Sequence, residues 1–302
     1  MAPEQIHLPI ADGALAALDF GGPDPGSGSG SGTASGPPVL LVHGSGHNAA
    51  AWTDVAPHLA QHRRVVAVDL RGHGRTPLES DRAEQYWRDL AAATRALGWE
   101  NPLLVGHSMG GYAVTAVTAA GLVDPAAVCI VDGLVLDDRR TAVTQQAYWS
   151  TPEALEQIRD RFGYGWSATE DEMRAYIDRS VREAPEDWLN AGSRPELVRD
   201  VLERSFTRRG DRWLRRPTAE QIAVISSPAP DADVYPSVDV YDLLTCPVTI
   251  VLPDEGFYAD RRDEVRALVE GRPERALVEM HTHHNVPMAA PEELARIILA
   301  TP

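Results

Sequence analysis

The sequence predicts an α/β protein: a mostly parallel central sheet, covered by helices on both faces and interrupted by a helical insertion. Three observations carry this. Short apolar runs without polar alternation recur along the chain, helical stretches separate them, and a long middle segment breaks the rhythm. The runs are Val39–Val42, Val65–Val68, Leu103–Val105, Ala127–Val131 and Val248–Leu252. A strand that shows no polar face is buried on both sides, as in a parallel sheet. Between the runs, Ala50–Gln61, Arg82–Leu97, Gly111–Ala120 and Asp260–Glu270 read as helices, and strand–helix alternation builds a layered sheet.

The remaining elements follow in order. Ile6–Phe20 alternates around Asp12–Gly13, the pattern of an antiparallel entry hairpin. Residues 23–37 are dominated by Gly and Ser and read as a flexible surface connector with nothing to bury. From about Asp137 to Asp242 there is no convincing strand run. Ser150/Glu153, Ser167/Glu170 and Ser193/Glu196 match the helix capping box, and Met173, Tyr176, Ile177 and Val181 keep helical spacing. The segment holds four of the seven Trp: Trp149, Trp166, Trp188 and Trp213. The expected organisation is a core over 1–136 and 243–302 with a helical cap over 137–242.

Composition excludes whole classes of chemistry. All 28 residues of the Lys+Arg total are Arg, which removes Schiff-base and phosphate-lysine mechanisms. A formal charge of -16 repels phosphate backbones, so no nucleic-acid partner is expected. Cys129 and Cys246 are too few for a disulfide scaffold and read as small buried residues of strands in a reduced protein. No apolar run reaches the about 20 residues of a membrane span, and residues 1–20 lack the pattern of a signal peptide. A cytoplasmic protein without a membrane partner is expected; a homo-oligomer is compatible with the sequence.

Gly106–His107–Ser108–Met109–Gly110 is G-x-S-x-G between a buried strand and a helix. The glycines permit a turn sharp enough to expose the Ser108 hydroxyl above the sheet, and the free amides of the following helix face any negative charge that develops there. Ser108 is therefore the candidate nucleophile. Of ten histidines, His47, His58 and His62 read as surface residues of the first helix, while His281, His283 and His284 follow the last apolar segment, Ala276–Met280. Metal binding by H-x-H-H is not expected, because alternation along a strand separates the imidazoles.

The chain resembles the α/β-hydrolase superfamily, in motifs that stand in family order: His43–Gly44–Ser45–Gly46, D-x-R-G-H-G at 69–74, the elbow G-H-S-M-G-G, a helical cap and a terminal H-N-V-P-M-A-A-P. The resemblance implies the α/β-hydrolase fold, His284 as base, and an oxyanion hole from Met109 and the Gly44–Ser45 turn. The superfamily acid after the next-to-last strand falls at Gly256, with Asp254 and Asp260 out of register. Some members, among them zearalenone-type lactonases, carry the acid where Asp132 stands; Asp132 is favoured and Asp254 is the alternative. Trp188 lies about where such lactonases set a cap Trp against substrate, with cap packing the equal alternative. What the resemblance implies is an esterase or lactonase with no metal or cofactor, and the aromatic-rich cap suits an apolar small-molecule substrate, with or without an aromatic ring. C–C bond hydrolysis and a slowly hydrolysing ligand receptor are the competing readings.

Overall fold

The computed structural model describes residues 2–24 and 36–302; most of the Gly/Ser connector read at 23–37 lies outside the described residues. Strands β1 (Glu4–Ile10), β2 (Gly13–Gly21), β3 (Val39–Val42), β4 (Val65–Val68), β5 (Leu103–His107) and β6 (Ala127–Val131) belong to the main sheet. The insertion adds β7 (Ser167–Ala168), β8 (Phe206–Arg209) and β9 (Arg212–Arg215), after which β10 (Val248–Glu255) and β11 (Arg275–His283) complete the main sheet. Its order is β1-β2-β4-β3-β5-β6-β10-β11. The hairpin β1–β2 and its junction with β4 are antiparallel; every pair from β4 to β11 is parallel. The carboxyl ends of β3, β5, β6, β10 and β11 therefore lie side by side at one edge, where α/β sheets form their sites.

Alternation along each strand divides the core. Leu40 and Val42 face one layer with Trp87, Leu90, Val114 and Val117, whereas Val39 and Leu41 face the other with Trp52, Leu59, Leu294 and Ile298. The helices that cover these faces are α1 (Ala56–Leu59), α2 (Gln85–Ala96) and α3 (Met109–Ala119). The helix expected over Ala50–Gln61 is a 3-10 turn, Ala49–Trp52, followed by α1. The break has a cause in Pro57, whose missing N–H cannot continue a ladder from residue 53. The sheet runs longer than its apolar patterns, β5 reaching His107 and β11 reaching His283.

The insertion holds α4 (Arg139–Gln146), α5 (Pro152–Phe162), α6 (Glu170–Glu183), α7 (Pro195–Ser205) and α8 (Ala219–Ile225). The expectation of a strand-free segment is corrected: β7, β9 and β8 form a three-stranded antiparallel sheet. β7 is only two residues long, and β8 and β9 each carry two Arg in four residues, so none shows an apolar run. The three capping boxes are corrected as well. Thr151 caps α5, Thr169 caps α6 in a true box with Glu172, and the side chain of Arg194 at the start of α7 caps nothing. At α6 the S-x-x-E match lay two residues early. Towards the C-terminus, α9 (Arg262–Ala267), α10 (Val286–Ala289) and α11 (Pro291–Ala300) complete the chain. Cys129 and Cys246 are buried and free; Cys246 precedes β10 rather than lying in a strand.

Asp69, just past β4, ties these parts together. Fully buried, it accepts the backbone N–H groups of Ala49 and Arg75, each at 2.7 Å, and the Arg204 Nε–H from α7. One carboxylate thus joins the sheet edge, the turn after β3 and the insertion. Arg204→Met is expected to cost about 3 kcal/mol in urea denaturation, because it leaves a buried carboxylate without its cation. A loss under about 1 kcal/mol would show that Asp69 is satisfied by its two amides alone.

Candidate active site

Ser108 ends the turn between β5 and α3 with φ 53° and ψ −124°. Among the described residues, Ser108 and Asp132 (φ 43°) are the non-glycine residues with positive φ. Such backbone costs roughly 1–3 kcal/mol and persists only where surrounding structure enforces it. Here the Ser108 N–H bonds to Val131 O at 2.9 Å and the Asp132 N–H to Val251 O at 3.0 Å, so each strand end is held by its neighbour. A Cβ on Gly106 would strike the Gly110 carbonyl, and one on Gly110 the Val42 carbonyl, so the elbow closes only with glycine at both places. Ser108 itself is half-buried.

His284, at the end of β11, and Asp132, at the end of β6, meet at 2.6 Å between Nδ1 and Oδ2. A carboxylate only accepts, so the imidazole proton sits on Nδ1 and Nε2 is left as acceptor. Asp132 Oδ2 also accepts the Phe257 N–H at 3.0 Å, and the Phe257 ring stacks on His284 with centroids 3.8 Å apart. Asp132 is fully buried and His284 nearly so. Asp254 takes a different partner, His281, whose Nδ1 lies 2.5 Å from Asp254 Oδ2 with the imidazole in solvent. His281 holds the Asp254 carboxyl below its usual range, and Asp254 raises His281 in return. The third imidazole, His283, donates from Nε2 to Ala191 O in the insertion. Three adjacent histidines thus serve three separate partners.

Gly256 gives the Asp132 carboxylate its room. A Cβ there would collide with Asp132 Oδ2 and with the Pro253 ring. The loop after β10 leaves the space that the Asp132 carboxylate fills.

The turn after β3 faces Ser108 from the other side. A Cβ on Gly44 would lie 2.9 Å from Ser108 Cβ. The Gly44 carbonyl accepts the His47 N–H at 3.2 Å and the His43 Nδ1–H at 2.8 Å. His43 is fixed in that tautomer because its Nε2 accepts the Leu70 N–H at 3.0 Å. A trans peptide is planar, so pinning the Gly44 oxygen turns the Ser45 N–H the opposite way. Met109 opens α3, where the first amides have no helical acceptor. Tyr164, from the insertion, packs on this turn: a Cβ on Gly46 (φ +75°) would overlap the Tyr164 hydroxyl.

His47 corrects the surface reading made for it. It is 7% exposed, its ring stacks on His107 at 6.1 Å, and its Nδ1 has no partner among the described residues. His58 is half-buried and His62 exposed. His107 donates from Nε2 to the His284 carbonyl at 2.9 Å and so steadies the backbone of that residue. Trp188 is 44% exposed and leans on Phe257 at 5.6 Å, so it is not packed into the interior of the insertion. A cavity of about 330 Å³ opens between Ser45–His47 and the insertion, lined by Phe162, Tyr164, Tyr176 and Trp188 together with Arg161, Arg179 and Arg215. Sequence reasoning missed Phe257, Tyr164, His47 and His107. The departure at Gly256 was the available signal for Phe257; Tyr164 had none, since its role depends on how the insertion folds back.

The buried histidines give the protein a defined acid sensitivity. Burial pushes His43 and His73 down to about 3 and His47 to about 4, with His284 adding to the effect on His47. All three stay neutral in the fold, whereas the unfolded chain protonates them near 6.5. Stability is therefore complete above pH 6.5 and falls as pH drops towards 4, by on the order of 2 kcal/mol per histidine at pH 5. Carboxylates held low, such as Asp254, add to the loss only below about pH 4. Thermal melts are expected to drop steeply between pH 6.5 and 5; a flat profile there would mean that these rings are charged in the native state.

The sequence profile of the Alpha/beta hydrolase family matches residues 39–297. A curated relative, protein phosphatase methylesterase 1 of Mus musculus, is 35% identical over 108 residues, which span 33% of this chain and 28% of that protein. Among solved structures, E-2-(acetamidomethylene)succinate hydrolase aligns with 99% of this chain and 98% of its own at TM-score 0.73 and 19% identity. A thermophilic esterase from Thermogutta terrifontis aligns over 99% and 97% at TM-score 0.64 and 22% identity. At such identities the structural likeness speaks to the fold, and the profile match speaks to kinship. With the sheet order, the elbow at Ser108 and most of the chain matched, this protein belongs to the alpha/beta hydrolase family.

Proposed function

We propose that this chain is a serine hydrolase of carboxylic esters, lactones included, working through Ser108, His284 and Asp132. The observation that carries the reading is the 2.6 Å contact of His284 Nδ1 with Asp132 at the strand edge that presents Ser108 on strained backbone. Asp132 fixes the tautomer in which His284 Nε2 is free to take the Ser108 proton as the hydroxyl attacks a carbonyl carbon. The same carboxylate stabilises the imidazolium that forms. The oxyanion is received by the N–H groups of Met109 and of the Gly44–Ser45 turn, each donor worth roughly 3–4 kcal/mol in the transition state. Proton return from His284 to the leaving alcohol gives an acyl-enzyme on Ser108, which water hydrolyses with His284 as base. In a lactone the leaving alcohol stays tethered to the acyl group.

The insertion acts as a cap over this edge. Its aromatic residues Phe162, Tyr164, Tyr176 and Trp188 suit a substrate with an apolar or aromatic body, and a zearalenone-type macrolactone is one candidate for assay. C–C bond hydrolases that resemble this chain carry their acid after the later strand, where Asp254 stands, and Asp254 is engaged with exposed His281. No helix among the described residues is long and apolar enough to cross a membrane. We assign the protein to the cytoplasm, where its two free thiols stay reduced.

A panel of p-nitrophenyl esters and lactones tests the reading. Turnover is expected, and Ser108→Ala should abolish it with the circular dichroism unchanged. A fluorophosphonate should add one label, on Ser108; labelling elsewhere would refute the nucleophile. Asp132→Asn should lower kcat by up to about 10⁴-fold, since Asn favours the wrong imidazole tautomer. Asp254→Asn should stay near wild type, and the reverse outcome would move the acid to the later strand. Binding of a lactone without measurable turnover would favour a receptor.

A further inference from the structure

The cavity over the Ser45–Gly46 turn holds more positive charge than its surroundings answer. Arg161 comes from α5, Arg179 from α6 and Arg215 from β9, and all three line it. None of the three takes part in an ion pair among the described residues, although nearby Arg159, Arg174, Arg199 and Arg212 all do. Each is held instead by aromatic rings. Arg161 lies over Phe162 and Trp188 at 5.2 and 5.5 Å, Arg179 over Tyr176 at 5.6 Å, and Arg215 over Tyr176 and Tyr164 at 4.8 and 5.7 Å. A ring occupies the flat face of a guanidinium and leaves the N–H edge free for an acceptor in its plane.

Arg215 is the decisive member. It is 9% exposed, and a charge so buried without a counter-charge is costly. Its Nη1 donates to the Phe162 carbonyl and contacts the Tyr176 hydroxyl, closing the end of α5. That structural duty uses one nitrogen. Nε is buried with no partner. His47, which also lines the cavity, is likewise buried with an unpartnered Nδ1 and neutral at physiological pH. The cavity wall also carries Glu183 and Asp187. Asp187 keeps its charge while accepting from Leu189 N–H and Asn190, and neither carboxylate pairs with the three arginines, so three cations stand against two anions.

We infer that this cavity is an anion subsite, in which Arg215, Arg161 and Arg179 take a carboxylate carried by the substrate at a distance from the scissile ester. The substrate class is then an ester or lactone that bears a separate free carboxylate, with an apolar body against the rings and its anionic end in the cavity. An overall charge of -16 opposes such a ligand at long range, so recognition depends on this local cluster. The inference rests on the ester-hydrolase reading, and the test separates the two.

Two matched pairs of substrates differ only in a terminal carboxylate: monomethyl adipate against methyl hexanoate, and 5-acetoxypentanoate against pentyl acetate. Hydrolysis followed by pH-stat should favour the carboxylate member of at least one pair by ten-fold or more in kcat/KM, chiefly through KM. Arg215→Gln should bring that ratio down towards one; Arg161→Gln, at an exposed position, serves if the first variant melts early. Arg199→Gln, which removes a surface cation paired with Asp178, should leave the ratio unchanged. Equal or better hydrolysis of the neutral member in both pairs would overturn the subsite while leaving the hydrolase intact. If no ester is cut, calorimetry with adipate and 1,6-hexanediol decides. Adipate binding that weakens in Arg215→Gln sustains the subsite without the hydrolase, and no preference for adipate refutes it.

Discussion

The site is organised around a space rather than around a contact alone. The Asp132 carboxylate reaches His284 because position 256 carries no side chain, and the amide of the next residue, Phe257, supplies its second hydrogen bond. The loop after β10 thus receives a carboxylate delivered by β6. Backbone strain at Ser108 and Asp132 belongs to the same constraint. Both residues leave adjacent parallel strands in positive φ and are pinned by hydrogen bonds to the neighbouring strand, so Ser108 and Asp132 are fixed relative to one sheet edge.

The second organising element is a set of buried polar groups with obligatory partners. His43 can satisfy the Leu70 N–H and the Gly44 carbonyl only in one tautomer, and that choice orients the turn facing Ser108. Asp69 joins the same turn to Arg204 of the insertion. The H-G-S-G and D-x-R-G-H-G motifs are therefore scaffold for the turn that faces Ser108. Their chemistry is to stay neutral or paired in a buried place, which is why the protein's stability is coupled to pH in the range where histidines titrate.

The fold was legible where burial is written in composition. Five unbroken apolar runs became five parallel strands, and the patterned entry hairpin formed as expected. The Ser108 elbow and the departure at Gly256 were readable too, because each depends on a glycine in a fixed register. The insertion was not legible in detail. Its strands are short and Arg-rich, and its helices begin at Thr151, Thr169 and Arg194 rather than at the Ser residues of the apparent boxes. His47 was misjudged because its burial comes from the insertion folding over it, a long-range event without a local pattern. Tyr164 and Arg215 come to line the cavity beside it by the same route.

If Gly256 is the space on which the Asp132–His284 pair depends, filling it should disable the enzyme without unfolding it. The direct measurement is kcat/KM of Gly256→Ala on its best ester, with thermal melting as control. Displacing a catalytic carboxylate by about 1 Å costs on the order of 100-fold, so a loss of that size or more with a native melt is the predicted result. Activity within a few-fold of wild type would contradict the account, because the acid would then not need the space that glycine leaves.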